Sequence, residues 1–423
     1  MVEFQRMEND ALTNQIPVSV IEGDGIGQEI TAATLQVLEA AIANSYGGQR
    51  QLIWQMVPAG SQALQIGSDP LPKTTLQSIR ENKIALKGPL TTPVAGGFSS
   101  LNVQLRQQLD LYVCLRPVHR MEGLPSPLSH PGGLDVVVFR ENSEDLYTGI
   151  EHPAGSPANL KLLSFFLNEF PQDFKKMPFT EEVGLGIKPI SKAGSQRLVR
   201  AALRWALENG RRKLTLVHKG NIMKYTEGAF LNWAYELADS EFSSKCFTRR
   251  QYQAIEKEQG RQQADKAAAN ASAKGLLQVN DLIADVAFEQ AILQPESFDV
   301  IATTNLNGDY LSDAFAALAG GVGISPGANL NPELGIGVFE ANHGSADDLA
   351  GRDIANSCSL ILSGAMLLDF IRWTEAADLV RNALQKAIVN KQVTFDLARL
   401  IPDAKVLGTR AFTQAIIAGM SRR

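Results

Sequence analysis

PVSVIEGDGIGQEITAATLQVLEAAIAN, residues 17–44, combines a strand, a turn and a helix, and this order decides the fold class. Residues 17–21 are predicted to form the strand, and the chain breaks at the glycines of residues 23–27 before a helix over residues 29–44. The apolar residues of that helix recur at helical spacing: Ile30, Ala33, Val37 and Ala41. The glycine spacing misses that of the dinucleotide-binding fingerprint, in which the third glycine packs against the helix. We therefore interpret the segment as a tight turn that needs the tolerance of glycine for positive φ.

Further strands alternate with helical patterns along the chain, which predicts an α/β protein. The predicted strands cover residues 83–86, 136–139, 213–217 and 299–303, and a further helix covers residues 198–207. Two segments depart from this rhythm. Residues 151–179 are rich in Pro, Ser and Phe and are interpreted as an inserted subdomain. Residues 249–274 contain mostly Gln, Ala, Lys and Glu, which predicts a solvated helical insertion at the surface.

The composition favours small-molecule chemistry. Hydrophobic residues make up 44% and charged residues 20% of the 423 residues, as in ordinary globular proteins. A net charge of -5 argues against nucleic acid as a partner, because phosphate neutralisation needs a basic face. The three cysteines are scattered and fit neither a disulfide framework nor a zinc site: Cys114, Cys246 and Cys358.

The sequence also bears on location. Residues 1–9 show no charged and then apolar export pattern, and we find no apolar run long enough to span a bilayer. We therefore predict a soluble, cytoplasmic protein with no membrane partner.

A first candidate cluster consists of polar and basic residues in the first third of the chain: Ser100, Asn102, Arg106, Arg116 and Arg140. Three guanidinium groups and a hydroxyl would suit a substrate with several carboxylates, since each planar fork can bind one carboxylate bidentately. Judged by spacing alone, arginines exposed at the surface are the more common explanation.

A second cluster consists of carboxylates that follow the strand predicted at residues 299–303. Asp309 and Asp313 are spaced to lie on one side of a helical turn, and Asp285, in an otherwise apolar stretch, is a candidate third ligand. Hard oxygen ligands at a strand end suit Mg²⁺ or Mn²⁺. For Asp309, a helix cap is the alternative.

A third cluster pairs Tyr147 with Lys219. A tyrosine beside an ammonium group can have its phenol acidified, so this pair could donate and accept a proton. Either residue alone could be structural. The five histidines are dispersed without metal-ligand spacing, and none is assigned as a metal ligand.

Six motifs together resemble the isocitrate/isopropylmalate dehydrogenase family, and they are most similar to the pattern of its prokaryotic isocitrate dehydrogenases. The resemblance runs from about residue 17 to residue 420. The motifs are IEGDGIG (21–27), KGPLTTP (87–93), SLNVQLRQ (100–107), FRENSEDLY (139–147), HKGNIM (218–223) and NLNGDYLSD (305–313).

The resemblance implies the fold of that family, which is α/β but not the classical Rossmann fold. It implies a large domain from residues 1–111 and 317–423, and a small domain from residues 112–144 and 192–316. Residues 145–191 would form a clasp-like insertion that joins two subunits. The active cleft would lie between the large and the small domain.

The resemblance also implies an activity: oxidative decarboxylation of isocitrate to 2-oxoglutarate and CO₂ in the tricarboxylic acid cycle. Arg106, Arg116 and Arg140 would hold the α- and β-carboxylates, and Ser100 with Asn102 would bind the γ-carboxylate and favour isocitrate over isopropylmalate. Asp309 and Asp313, with Asp285 from a partner subunit, would bind Mg²⁺ or Mn²⁺. Lys219 of the partner subunit would assist removal of the hydroxyl proton, and Tyr147 would protonate the enolate. The implied assembly is a homodimer with shared active sites.

For the cofactor, the family resemblance implies a site formed by eleven residues: Thr91, Thr92, Glu340, His343, Gly344, Ser345, Ala346, Asp348, Leu349, Asn356 and Asp396. Asp348 and Leu349 stand where NADP-dependent enzymes carry a Lys-Tyr pair, and Phe395 stands where they carry a tyrosine. An aspartate repels the 2′-phosphate, so we predict NAD rather than NADP. Arg399 matches an arginine of the NADP enzymes and opposes that prediction.

Two other functions stay open. An isopropylmalate or homoisocitrate dehydrogenase would share the metal and tyrosine residues but bind another acid. A non-catalytic regulatory subunit would have lost members of the Asp, Tyr and Lys set, all of which are present here.

Overall fold

The computed structural model describes residues 14–91, 100–128 and 133–420. In these ranges the strands are β1 (Gln15–Ile21), β2 (Gln51–Met56), β3 (Ile84–Lys87), β4 (Val113–His119), β5 (Asp135–Glu141), β6 (Glu151–His152), β7 (Leu185–Gly186), β8 (Lys213–His218), β9 (Cys246–Thr248), β10 (Leu277–Ile283), β11 (Val300–Thr303), β12 (Pro326–Asn331), β13 (Ile336–Ala341), β14 (Gln392–Val393) and β15 (Lys405–Val406).

The helices of the same ranges are α1 (Gly27–Tyr46), α2 (Ser61–Gln65), α3 (Lys73–Asn82), α4 (Leu101–Gln108), α5 (Pro157–Glu169), α6 (Pro171–Phe174), α7 (Lys192–Glu208), α8 (Glu227–Glu241), α9 (Arg249–Gln259), α10 (Arg261–Ala273), α11 (Ala284–Leu293), α12 (Asn305–Ala319), α13 (Cys358–Phe370), α14 (Thr374–Val389), α15 (Phe395–Ala398) and α16 (Thr409–Gly419). Short 3₁₀ turns cover Asp145–Thr148, Pro295–Ser297, Val322–Ile324 and Asp347–Leu349.

One mixed sheet of eleven described strands organises the molecule, in the order β2-β1-β3-β13-β12-β4-β5-β11-β8-β10-β9. The pairs β13-β12, β12-β4 and β4-β5 are antiparallel, and the other neighbours are parallel. The β12-β4 pair joins strands from the two ends of the chain to strands from its middle. This junction falls where the predicted large and small domains would meet, but the domain boundaries stay a prediction.

Apolar packing on the sheet explains why the opening segment folds as it does. Val18 and Val20 of β1 are fully buried, and Ile30 and Val37 of α1 are fully buried above them. Burying a side chain of this size stabilises the fold by about 1.5–3 kcal/mol. Helix α1 packs against α13, α14 and α16, so the two chain ends share one core. The predicted order of strand, turn and helix over residues 17–44 is confirmed.

The two irregular segments are found as predicted. Residues 151–179 contribute β6, which pairs with β7 in a separate two-stranded sheet, and the helices α5 and α6. Residues 249–274 form the helical hairpin of α9 and α10, with Thr248 and Gln251 in a capping box. No helix in the described ranges is both long and apolar enough to cross a membrane.

Candidate active site

A cleft of about 210 Å³ contains most of the predicted substrate residues. Its lining includes four cations and two carboxylates: Lys87, Arg106, Arg116, Arg140, Asp309 and Glu340. Ser100, at the start of α4, and Asn102 line the same cleft. Oδ1 of Asn102 is buried and has no hydrogen-bond partner among the described residues. An excess of positive charge in the lining suits a small anion.

Strand register brings two of the arginines together. Arg140 on β5 pairs with Cys114 on β4, and Arg116 lies two residues further along β4. Because side chains alternate along a strand, Arg116 and Arg140 share one face of the sheet. Gly308 lets α12 approach this face, since a Cβ there would lie 2.6 Å from Cγ of Arg140.

Arg140 is almost fully buried, at 1% exposure. Its Nε donates to Oδ1 of Asn305 at 2.9 Å, its Nη1 forms an ion pair with Asp309, and its guanidinium lies 4.7 Å from the centre of the Tyr147 ring. Nη2 is buried with no partner among the described residues. This nitrogen is therefore available to a carboxylate in the cleft.

Arg116 contacts the same helix as Arg140. Its Nη1 donates to the Ser312 hydroxyl at 2.6 Å and lies 3.2 Å from Oδ1 of Asp313 and 3.5 Å from Oδ1 of Asp309. Asp309 and Asp313 thus lie on one side of α12, as their spacing predicts.

Arg106 belongs to a buried ion-pair network. Its Nη2 lies 2.9 Å from Oε1 of Glu340, while Nζ of Lys87 lies 2.8 Å from Oε2. Asn329 donates to Oε1 at 2.6 Å. Burial works to raise the pKa of Glu340, but Lys87 and Arg106 hold it far below the usual range. Glu340, predicted as a cofactor residue, therefore orients Arg106 at the substrate cleft.

We expect Glu340→Gln to lower the free energy of unfolding at neutral pH by about 3–5 kcal/mol, because it leaves two buried cations without a carboxylate between them. The depressed pKa means that the Glu340 contribution is present above the usual carboxyl range and is lost as pH falls through the folded-state pKa. The difference in free energy of unfolding between wild type and variant, measured in urea, should therefore be smaller at about pH 4 than at neutral pH, by up to about 1 kcal/mol. Glu258→Gln on the exposed face of α9 is the control, and an equal loss there would contradict this account.

Within the described chain, Tyr147 contacts Asp309 rather than Lys219. Its hydroxyl donates to Oδ2 of Asp309. Burial, together with this hydrogen bond, raises the pKa of Tyr147 to about 12. Within one chain the phenol is therefore not acidified, and its pairing with Lys219 of a partner subunit stays a prediction. The phenol stays protonated at neutral pH and can act as a proton donor.

Lys219 and Asp285 lie apart from the cleft lining. They form an ion pair with each other across the ends of β8 and β10, and their side chains are 31% and 65% exposed. Neither contacts Asp309 or Tyr147 in the described structure. Lys219 and Asp285 could therefore act only at the corresponding cleft of another copy of the chain.

The metal prediction can be tested against the donor set. Burial works to raise the pKa of Asp309, but Arg140 and the Tyr147 hydroxyl keep it low, so this carboxylate is ionised. Asp313 lies one helical turn away. These hard oxygen donors fit Mg²⁺ or Mn²⁺. Among the described residues no group of three or more His, Cys, Asp or Glu side chains is arranged to hold a metal, so a third protein ligand would have to come from outside the chain.

The turn at Gly23–Gly27 supports the predicted cofactor region. Oδ1 of Asp24 accepts from the backbone N–H of Ser61 at 2.8 Å, and Oδ2 accepts from that of Thr91 at 2.9 Å. The Thr91 hydroxyl lies 2.8 Å from the Ser345 hydroxyl. Gly25 has a φ of +56°, and a Cβ there would lie 2.2 Å from the Ser345 carbonyl oxygen. The turn thus brings the Thr91 and Ser345 loops together.

The remaining cofactor candidates divide into three groups. His343 and Gly344 line the cleft; burial lowers the pKa of His343, and its Nε2 has no partner among the described residues. Asn356 donates to Oδ2 of Asp396 at 2.8 Å, next to these loops. The side chains of Ala346 and Leu349 instead pack against the apolar core, whereas Asp348 is exposed. Thr92 lies outside the described residues.

Four residues of the site were not predicted: Lys87, Asn305, Ser312 and Asn342. Lys87 could have been found, because a lysine that ends a buried apolar strand needs a partner. Asn305 and Ser312 lie within the motif NLNGDYLSD (305–313), but their contacts with the arginines depend on tertiary packing. Asn342 donates to Oδ1 of Asp313 at 3.0 Å, across a long stretch of chain.

The sheet and the arginine-lined cleft define an α/β protein with a site suited to a small anion. A family model described as isocitrate/isopropylmalate dehydrogenase matches residues 17–416. The chain belongs to this family, and the predicted fold class is confirmed.

Individual relatives agree with the family match. Isocitrate dehydrogenase (NADP) of Staphylococcus aureus strain MSSA476 is 46% identical over 98% of this chain and 97% of its own. Isocitrate dehydrogenase (NADP) of Pseudomonas aeruginosa strain UCBPP-PA14 is 48% identical over 95% and 93%. The crystal structure of isocitrate dehydrogenase from Methylococcus capsulatus superposes with a TM-score of 0.75 at 35% identity, covering 96% of this chain and 100% of that one.

The relatives from Staphylococcus aureus and Pseudomonas aeruginosa overturn the prediction of NAD over NADP. Both are NADP enzymes by name, and both match nearly the whole chain. The prediction gave decisive weight to Asp348, whose carboxylate is exposed, so that solvent and salt screen its charge. Leu349 faces the core rather than a ligand. Arg352 and Arg399 are both exposed, and Arg399 lies 5.0 Å from the centre of the Phe395 ring.

Proposed function

We propose that this chain is an NADP-dependent isocitrate dehydrogenase. It would oxidise isocitrate with NADP, with Mg²⁺ or Mn²⁺ bound at the site, to give 2-oxoglutarate, CO₂ and NADPH, a step of the tricarboxylic acid cycle. The observation that carries the proposal is the cleft in which three buried arginines surround one ionised carboxylate and one protonated phenol, in a chain of this family.

Substrate binding follows from the open donors of the cleft. Nη2 of Arg140 and Nε of Arg106 are buried without partners among the described residues. Arg116 on β4 donates to Ser312 of α12, the helix that carries Asp309. Charge-assisted bonds from these guanidinium groups would hold two carboxylates of isocitrate. Ser100 and Asn102 would bind the third, and an apolar isopropyl group would fit poorly there.

Asp309 and Asp313, with the partner subunit's Asp285, would hold Mg²⁺ or Mn²⁺. The cation would polarise the oxygen on the carbon that is oxidised and stabilise negative charge after CO₂ leaves. Tyr147, protonated at neutral pH, would give its proton to the substrate carbon after decarboxylation. Lys219 of the partner subunit would assist removal of the hydroxyl proton.

A homodimer would complete the site. The exposed ion pair of Lys219 and Asp285 supports this, because neither residue lines the cleft of its own chain. The insertion also exposes large apolar side chains, including Leu160 at 56% and Phe179 at 79% exposure. Apolar surface of this kind is typical of an interface.

The cofactor is tested by steady-state reduction of NADP and NAD with isocitrate and Mg²⁺. We expect a higher kcat/KM with NADP. Arg399→Ala should lower kcat/KM for NADP about 10–100-fold, since a charge-assisted bond to phosphate contributes about 1.5–3 kcal/mol. The same variant measured with NAD is the control and should change by less than about threefold. A wild-type preference for NAD would contradict the cofactor assignment.

A further inference from the structure

A partly buried lysine outside the cleft connects the segments that carry the proposed chemistry. Lys188 lies between β7 and α7, and its side chain is 15% exposed. Its Nζ lies 2.6 Å from Oδ1 of Asp145 and 2.8 Å from Oε1 of Glu227, and both carboxylate side chains are fully buried. Burial works to lower the pKa of Lys188, but the hydrogen bonds to Asp145 and Glu227 raise it. One ammonium group therefore bridges two buried carboxylates.

Asp145 fixes the segment that carries Tyr147. It begins the 3₁₀ turn Asp145–Thr148 at a positive φ of 70°, and its backbone N–H donates to the Pro189 carbonyl at 3.0 Å. Oδ1 accepts from the N–H of Leu146 at 2.7 Å, and Oδ2 accepts from the N–H of Leu306 at 3.0 Å. Leu306 lies in the first turn of α12, so Asp145 ties the Tyr147 turn to the helix that carries Asp309.

Glu227 binds the same helix from the other side. Oε1 accepts from the Thr304 hydroxyl at 2.8 Å, and Oε2 accepts from Nδ2 of Asn307 at 2.8 Å. Oε2 also accepts from the backbone N–H of Lys219 at 3.0 Å. Glu227 thereby ties α12 to the loop that carries Lys219.

We propose that Lys188 is a positioning residue for the reaction: through Asp145 and Glu227 it sets the relative places of Tyr147, Asp309 and Lys219. The inference rests on the proposed function. Without the ammonium group, two buried carboxylates would repel each other, and the three segments that they hold would shift. Since Lys219 would serve the partner's site, the network would also link the two sites of a dimer.

The test compares Lys188→Met, Lys188→Arg and Lys192→Met. Lys192 is half exposed, forms an ion pair with Glu236 and lies outside the network. The full-length proteins are measured for isocitrate oxidation with NADP, and for isocitrate binding by calorimetry with Mg²⁺. For Lys188→Met we expect a kcat at least about tenfold lower, because misplacement of reacting groups by about 1 Å costs up to about 10²-fold. Lys188→Arg should recover at least about a third of the lost kcat, and Lys192→Met should have the kcat of wild type.

Calorimetric binding of isocitrate shows whether Lys188→Met has lost the position of its reacting groups or has lost its folded structure. We expect Lys188→Met to bind isocitrate at about one site per chain, with a Kd within about threefold of wild type, since the arginines are intact. A kcat equal to that of Lys192→Met would overturn the inference, and so would a binding stoichiometry that falls in proportion to kcat. If Lys188→Met does not fold, Glu227→Gln must give the same pattern or the inference fails. A wild-type protein that does not oxidise isocitrate would instead refute the proposed function.

Discussion

Replacing Arg140 by methionine is expected to lower kcat/KM for isocitrate by about 10²–10⁴-fold, the largest single effect in the cleft. The guanidinium contributes an unpartnered Nη2 to the cleft, an ion pair to Asp309 and a hydrogen bond to Asn305. Methionine removes all three and leaves Asp309 without its closest cation, which would raise the pKa of that carboxyl.

Arg140→Lys separates charge from geometry. Lysine keeps the positive charge but cannot make two parallel hydrogen bonds from a planar group, so we expect an intermediate loss. Arg120→Met is the matched control, because Arg120 is exposed and forms no ion pair in the described part of the chain. Steady-state kinetics with isocitrate, Mg²⁺ and NADP measure all three variants. A value of kcat/KM for Arg140→Met within about tenfold of the control would contradict this role.

Replacing Tyr147 by phenylalanine is expected to lower kcat by about 10²–10⁴-fold, the usual contribution of a positioned general acid. The substitution keeps the ring beneath the Arg140 guanidinium and removes only the hydroxyl that donates to Asp309. Substrate binding depends mainly on the arginines, so KM for isocitrate should change much less than kcat.

The Tyr147 experiment has its own control in the α9-α10 hairpin. The hydroxyl of partly buried Tyr252 donates to Asp265 at 2.7 Å, so Tyr252→Phe also removes one hydrogen bond to an aspartate. Steady-state turnover should be unchanged in that variant. If Tyr147→Phe kept kcat within about threefold of wild type, the phenol could not be the proton donor.

Local sequence patterns predicted the elements of the fold but not their neighbours in the sheet. Helical spacing of Ile30 and Val37 and the glycine turn before them give the first strand, turn and helix directly. The pairing of β13 with β3 has no local signal, because it depends on contacts between segments far apart in the chain. For the same reason Lys87 and Glu340 could not be paired from the sequence.

The geometry of the site can be worked out from the sequence where register or helical spacing fixes it. Arg116 and Arg140 meet on one sheet face, and Asp309 and Asp313 on one side of α12. The hydrogen bond of Tyr147 to Asp309 could not be predicted, since a motif does not tell which helix packs over a turn. Leu349 likewise could not be assigned to the core from the sequence, because residues of a short 3₁₀ turn show no apolar periodicity.

The most direct test of the central claim compares two acids with the purified protein, NADP and Mg²⁺. In the proposed function isocitrate would place a carboxylate beside Ser100 and Asn102, whereas 3-isopropylmalate would place an apolar group there. A site that hydrogen-bonds a substrate group rejects an analogue lacking it by about 10⁴–10⁵-fold in kcat/KM. We therefore predict turnover of isocitrate with little or none of 3-isopropylmalate. An equal or higher kcat/KM for 3-isopropylmalate would contradict the proposed function.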